Sequence, residues 1–284
     1  MRLFHTTRGA ILEQNDHFWQ LPDSSWDALI NRDDLPDHLQ QYIAEHPADA
    51  QAPSASELLP PIGQQEVWAS GVTYYRSREA RMEESEAVGG GSFYDRVYHA
   101  DRPELFFKAT AARTVGPGGT VNIRTDSTWN VPEPELTLFA TSNGKIVGYT
   151  VGNDMSSRSI EGENPLYLPQ AKSYEGSAAL GPCLFVTSTP LPPSTDIQLV
   201  IFREQEKVID ETIKLEQMKR TPAELVDYLF HSLRFPHGCF LMTGTGIVPD
   251  NFTLQPGDEV RISIQGIGTL VNPVGVVGKP NRVV

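Results

Sequence analysis

Apolar and polar residues alternate with a period of two, or apolar residues cluster in short runs, in several separate stretches of this chain, the spacing of β-strands. Alternation or short apolar runs predict strands over 66–73, 136–140, 145–151, 180–187, 197–204 and 207–214, and through Val260, Ile262 and Ile264. Ser142-Asn143-Gly144 is a hairpin signal between two of these runs, and Gln205-Glu206 falls between two others. Helical spacing is sparse. It appears over 26–30 and 35–44, and again after Thr221-Pro222-Ala223-Glu224, which supplies a cap, a first-turn proline and a capping-box glutamate. Leu225, Leu229 and Leu233 then recur every fourth residue, predicting a helix packed on a sheet. Met1 to Leu12 predicts a short hairpin, and Ala48 to Pro61, rich in Ala, Pro, Ser and Gln, predicts a linker. The pattern therefore predicts a small N-terminal domain with its linker over 1–62 and a larger, mostly β domain over 63–284.

A chain of 284 residues buries a sizeable core, and 39% hydrophobic with 21% charged residues is ordinary for a globular protein. The formal net charge of -13 argues against a nucleic-acid groove or an anionic membrane surface as partner. It leaves an anionic small substrate open, because one bound cation reverses the field locally. Arg2, His5 and Arg8 interrupt the opening residues, so no signal peptide is read there, and no apolar run reaches transmembrane length. Two cysteines, Cys183 and Cys239, make no disulfide framework and suit a reducing cytoplasm. His5, His17, His38 and His46 show no metal-ligand spacing. Val88-Gly89-Gly90-Gly91-Ser92 predicts a flexible loop; no Lys-Ser/Thr follows it, so it is not a phosphate-binding loop.

The chemistry concentrates between Pro132 and Asp154. Glu133 and Glu135 stand two apart, which on a strand puts both carboxylates on one face. The Asn-Gly turn returns the chain so that Asp154 comes back towards them. Three converging carboxylates call for a hard divalent cation, Mg²⁺ first, then Mn²⁺ or Ca²⁺. The bland alternative is a solvated edge strand, which Pro134 also fits.

The residues Gly148-Tyr149-Thr150-Val151-Gly152-Asn153-Asp154-Met155-Ser156-Ser157-Arg158 resemble the Gly-Tyr-Thr-x-x-Asn-Asp-x-Ser-x-Arg signature of the fumarylacetoacetate hydrolase family. The earlier Glu-x-Glu pair, Lys172-Ser173, Gly181-Pro182 and Thr243-Gly244-Thr245-Gly246 follow in the family's order, so the likeness spans about Val67 to Val277. It implies a mixed β-sandwich or β-roll of α+β class with few helices, in a homodimer. It also implies Mg²⁺ held by Glu133, Glu135 and Asp154.

Within that resemblance one stretch departs from the hydrolytic pattern. Many relatives carry Gly-x-Asn-Tyr-x-x-His-x-x-Glu where this chain has Gly71-Val72-Thr73-Tyr74-Tyr75-Arg76-Ser77-Arg78-Glu79-Ala80. The histidine and glutamate that activate water for C–C hydrolysis are replaced by Ser77 and Ala80, and neither titrates near neutrality. The stretch is instead similar to the 2-keto-3-deoxy-sugar-acid dehydratase branch. Asp101 to Lys108 resembles the family's Arg-Pro-x-x-Phe-x-Lys segment, and Leu105, Phe106 and Phe107 would raise the pKa of a carboxylate among them. The resemblance makes Glu104 the catalytic acid/base, against the alternative of a glutamate solvated beside a core strand. Lys108 is expected to anchor strand or site carboxylates, and Lys172 to stabilise enolate charge. Arg76, Ser77 and Thr245 are the candidates for binding the substrate carboxylate, while Arg78 and Arg81 fit an exposed helix face with Glu79, Glu83 and Glu84. The expected activity is a Mg²⁺-dependent lyase that removes water from a 2-keto-3-deoxy sugar acid, a small-molecule 2-oxo acid. A 2-oxo dioate isomerase or decarboxylase, an acylpyruvate hydrolase and a non-catalytic 2-oxo-acid-binding protein are the alternatives.

Overall fold

The computed structural model describes residues 1–22, 25–85, 91–249 and 251–278. An antiparallel meander comes first: β1 (Arg2–Thr6), β2 (Gly9–Gln14) and β3 (His17–Gln20). Asn15 and Asp16 both take positive φ, 54° and 62°, which lets a two-residue turn match the twist of β2 and β3. Two helices follow, α1 (Trp26–Ile30) and α2 (Leu35–Glu45). Next come β4 (Glu66–Ala69), the helices α3 (Tyr75–Ser85) and α4 (Gly91–His99), and the strands β5 (Phe106–Thr110), β6 (Thr114–Val115), β7 (Val121–Arg124) and β8 (Asn130–Val131). The central hairpin is β9 (Pro134–Ala140) and β10 (Ile146–Asp154), succeeded by β11 (Ser156–Ser157), α5 (Arg158–Glu163), α6 (Leu168–Lys172) and β12 (Ala178–Val186). The remainder comprises β13 (Asp196–Arg203), β14 (Glu206–Lys214), α7 (Pro222–Phe230), β15 (Cys239–Met242), β16 (Glu259–Ile264) and β17 (Gly268–Val277).

These strands form a large mixed sheet in the order β3-β2-β1-β12-β10-β9-β15-β4-β5, with β6 added in parallel to β12. A second sheet runs β14-β13-β16-β17-β7, and β8 pairs with β11. Strand exceeds helix, 38% against 23%, so the mainly β expectation holds. Alternation on β9, and a bulge in β10 between Ile146 and Gly148, sort side chains between two cores. Leu136, Leu138, Tyr149 and Val151 meet Leu199, Ile201, Val260 and Ile262 between the sheets. Phe139 and Val147 point the other way, into a core shared with Leu3, Leu12, Trp26, Leu29 and Leu39. The first 62 residues thus extend the large sheet and cover one of its faces.

The turn of the central hairpin is pinned from outside. Asp33 accepts from Thr141 Oγ1 (2.5 Å) and Asn143 Nδ2 (2.9 Å), and Asn31 Oδ1 accepts from the Ser142 amide (2.7 Å). The α7 cap forms as its sequence predicts, the Glu224 amide donating to Thr221 Oγ1 at 3.2 Å. Three local expectations need correction. The β9 strand is central and wholly buried, because β10 and β15 pair with its two sides, so Pro134 does not mark an edge. Leu233 lies beyond the end of α7 and is 41% exposed rather than packed. Arg78 pairs with Asp95 of α4 at 2.7 Å. The side chain of Arg81, residues 88–90 of the expected flexible loop and the tail after Gly278 lie outside the described residues, while Gly91 and Ser92 open α4 rather than continue that loop. Among the described residues no helix is long and apolar enough to cross a membrane.

Leu12 is fully buried at the junction of the N-terminal strands and the main sheet. Leu12→Ala should lower global stability by about 2–5 kcal/mol, in a single denaturant transition followed by tryptophan fluorescence. An early, separate N-terminal transition would contradict the shared core.

Candidate active site

The register of the central hairpin builds the site. Gly152 stands opposite Glu135, and the Asp154 amide donates to the Glu133 carbonyl at 3.0 Å. The three carboxylates converge at the open end of the hairpin, with ligand oxygens all within 4.8 Å of one another. Glu133, Glu135 and Asp154 are 3%, 1% and 1% exposed, so water does little to separate their charges. Repulsion at such distances is roughly 3 kcal/mol per pair at an effective dielectric of about 20. Burial, reinforced by Asp154 and Glu133, pushes the Glu135 carboxyl well above the usual carboxylate range.

Buried cations answer two of the three. Lys172, at the end of α6, donates to Glu133 Oε2 (2.5 Å), Asp154 Oδ2 (3.0 Å) and Ser156 Oγ (2.6 Å). Arg158, at the start of α5, donates from Nη2 to Glu133 Oε1 at 2.7 Å. Lys108 Nζ lies 2.5 Å from Asp154 Oδ1 and also donates to the carbonyls of Met155 (2.9 Å) and Lys172. Burial lowers the pKa of Lys108, and the Asp154 carboxylate opposes that shift. Lys108 is therefore an anchor tying β5 to the end of β10 and to α6, as its sequence context suggests.

Glu135 is held differently, by a 2.6 Å hydrogen bond from the Gly244 amide to Oε2. Gly244 takes φ +93°, and a Cβ there would meet Thr73 Oγ1 at 2.0 Å. Only glycine presents that amide at that place. The donor set is three carboxylates with no sulfur or imidazole in the cluster, and Glu135 is driven towards protonation unless positive charge arrives. Both features fit a hard divalent cation such as Mg²⁺, with Mn²⁺ or Ca²⁺ as substitutes.

A narrow cleft opens on this cluster, with Ser70, Gly71, Ser77, Phe106, Lys172 and Thr245 among its walls. Ser77 and Thr245 thus both line the cleft. Their hydroxyls also bond within their own turns: Ser77 Oγ donates to the Tyr74 carbonyl (2.7 Å), and Thr245 Oγ1 to that of Ile247 (3.2 Å). Arg76 is half-buried on α3 and does not line the cleft. Glu104 is not itself a wall residue either, but its carboxylate lies against Gly71, which is one. Val72, another wall residue, has φ +55°. For a β-branched side chain that is strained, on the order of 1–3 kcal/mol, and such strain concentrates at functional sites. A larger hollow lined by Arg124, Asp126 and Tyr174 lies elsewhere and gathers no carboxylate cluster.

Sequence reasoning left three participants without a role: Arg158, Ser156 and Ser70. The first two sit inside the Asn-Asp-x-Ser-x-Arg motif, directly after a metal-face aspartate. A charged residue following a buried strand was the available signal.

A β-sheet mouth in which a carboxylate cluster faces buried lysine and arginine is the site of a metal-dependent enzyme. The chain belongs to the fumarylacetoacetate (FAA) hydrolase C-terminal family, which matches residues 82–275. A probable 2-keto-3-deoxyxylonate dehydratase of Haloferax volcanii is 49% identical over 220 residues, 76% of this chain and 74% of that protein. A 2-dehydro-3-deoxy-D-arabinonate dehydratase of Saccharolobus solfataricus is 46% identical over 221 residues, with the same two shares. Among solved structures, a 2-keto-3-deoxy-D-arabinonate dehydratase complexed with magnesium and 2,5-dioxopentanoate superimposes with a TM-score of 0.83. That match has 35% identity and covers 98% of this chain and 100% of the other.

Glu135→Gln removes one of three repelling charges and keeps an acceptor for the Gly244 amide. The metal-free variant should be at least as stable as the parent. Its Mn²⁺ affinity should fall by more than about 100-fold, beyond what outer-shell changes cause. Calorimetric titration with Mn²⁺ checks this, and parental affinity would remove Glu135 from the ligand set.

Proposed function

We propose that this protein is a Mg²⁺-dependent hydro-lyase that removes one water from a 2-keto-3-deoxy sugar acid. The observation that carries the reading is the buried carboxylate cluster opposite Lys172, in a cleft where Ser77 stands at the hydrolases' histidine position. Dehydratases at 49%, 46% and 35% identity support it, one of them bound to 2,5-dioxopentanoate. The formula of that ligand is that of a 2-keto-3-deoxypentonate less one water.

Glu133, Glu135 and Asp154 would hold the ion. Bound there, Mg²⁺ supplies Lewis-acid polarisation of the 2-oxo group and counter-charge for the neighbouring carboxylate. Glu104, against Gly71 of the cleft's wall, takes a proton from C3 and returns it to the hydroxyl leaving C4. The C3–H and C4–O bonds break, a C3=C4 bond forms, and the unsaturated acid rearranges to a saturated dioxo product. Lys172 faces the charge that develops on the C2 oxygen. Ser77 and Thr245 contact the substrate carboxylate from the wall, and Arg76 adds positive potential from the first turn of α3. Hydrolysis is disfavoured because neither Ser77 nor Ala80 supplies a base to activate water. We take the protein to act as a homodimer in the cytoplasm. The family resemblance supports the dimer, and two buried thiols outside any disulfide support the reducing compartment.

Mass spectrometry of Mg²⁺-loaded protein with 2-keto-3-deoxypentonates and -hexonates should reveal loss of one water. Glu104→Gln should cut turnover by about 10²–10⁴-fold while retaining Mn²⁺. Cleavage of an acylpyruvate into two acids, with no dehydration of any sugar acid, would overturn the reading.

A further inference from the structure

We infer that Gly71 is a positioning residue for Glu104: its missing side chain is the notch in which the Glu104 carboxylate sits at the wall of the cleft. The inference rests on the acid/base role proposed for Glu104. Strand pairing brings the two residues together. Antiparallel β4 and β5 pair Trp68 with Phe107 and Ala69 with Phe106. Continued beyond the strand ends, the same register sets Ser70 against Leu105 and Gly71 against Glu104. The chains do stay joined there, because Ser70 Oγ donates to the Glu104 carbonyl at 2.9 Å, while the Ser70 amide donates to the Met242 carbonyl at 3.0 Å. Gly71 and Glu104 are therefore direct cross-strand neighbours, the pair of positions whose side chains meet on one face.

That neighbourhood leaves no room for a second side chain. A Cβ on Gly71 would lie 2.1 Å from Glu104 Oε2 and 2.7 Å from its Cδ. Gly71 is not among the glycines with positive φ, so an alanine there meets no backbone penalty. Space, not conformation, is what the glycine provides. The colliding atoms are the far end of a flexible side chain. A methyl group would therefore swing the carboxylate away and leave the sheet in place. The carboxylate ligands are held from elsewhere, by Lys172, Arg158, Lys108 and the Gly244 amide, so metal binding should not register the change.

The experiment uses Gly71→Ala, Glu104→Asp, the double variant and Glu104→Gln, all in the full chain. Gly71→Ala should melt near the parent temperature and bind Mn²⁺ with parental affinity. Its kcat should fall by about 100-fold, the penalty of misplacing a catalytic group by roughly 1 Å, with KM little changed. Aspartate is one methylene shorter and withdraws from the collision. Adding Gly71→Ala to Glu104→Asp should therefore change kcat less than threefold. Parental kcat in Gly71→Ala, or the same loss in both backgrounds, would overturn the inference. Should Gly71→Ala fail to fold, a folded double variant would still support the contact, and an unfolded one would overturn it. Full activity in Glu104→Gln would instead remove the acid/base reading itself. An inactive Glu104→Gln beside a fully active Gly71→Ala would remove only the role of Gly71.

Discussion

Three buried carboxylates and three buried cations share the mouth of the large sheet, the cations pairing with Glu133 and Asp154 while the Gly244 amide holds Glu135. Glu133, Glu135, Asp154, Lys108, Lys172 and Arg158 are each no more than 3% exposed. An unpaired ion at such a depth costs several kcal/mol even after relaxation, so neither set is tolerable without the other. With all six ionised, the cluster is formally neutral before any metal or substrate arrives. A divalent cation leaves an excess of two positive charges. A 2-oxo acid brings one negative charge as its carboxylate, and the reaction develops a second on the C2 oxygen. Moving the C3 proton to Glu104 would leave the total charge unchanged and transfer negative charge from that carboxylate to the C2 oxygen, where preorganised positive groups stabilise it.

This balance demands the whole fold. Glu135 and Asp154 come from the two strands of one hairpin, with Glu133 just before the first; Lys108 comes from β5, Arg158 from α5 and Lys172 from α6. Lys108 lies 46 residues before Asp154, and three strands, β9, β15 and β4, separate β5 from β10 in the sheet, yet its ammonium meets the Asp154 carboxylate at 2.5 Å. None of the described residues among 1–62 lines the cleft. They bury the back of the sheet that carries it and pin the hairpin turn through Asp33. Positioning and chemistry are divided between the two ends of the same hairpin.

Local rules made much of this legible. The Asn-Gly turn and the two-residue spacing of Glu133 and Glu135 predicted a carboxylate cluster, and Thr221 with Glu224 predicted the start of α7. Long-range placement was harder to read. The centrality of β9 depends on β15, about a hundred residues away, and no local pattern encodes that pairing. Arg158 looked like a motif residue without a task until its guanidinium was seen on Glu133. Arg76 and Ser77 are adjacent in sequence, but helical geometry turns only Ser77 into the cleft. The strand β17 went unread because Gly268, Pro273 and Gly275 dilute its alternation.

The central claim is that Glu104 moves the C3 proton of a 2-oxo acid held in this cleft. It is tested most directly by solvent exchange. Mg²⁺-loaded protein would be incubated in D₂O with a 2-oxo acid lacking the C4 hydroxyl, and deuterium entry at C3 followed by NMR. Elimination is then blocked, and only proton removal and return remain visible. The parent should exchange C3 hydrogen well above the buffer rate, and Glu104→Gln should not. Equal exchange in both proteins would contradict the account, because another group would then be moving the proton.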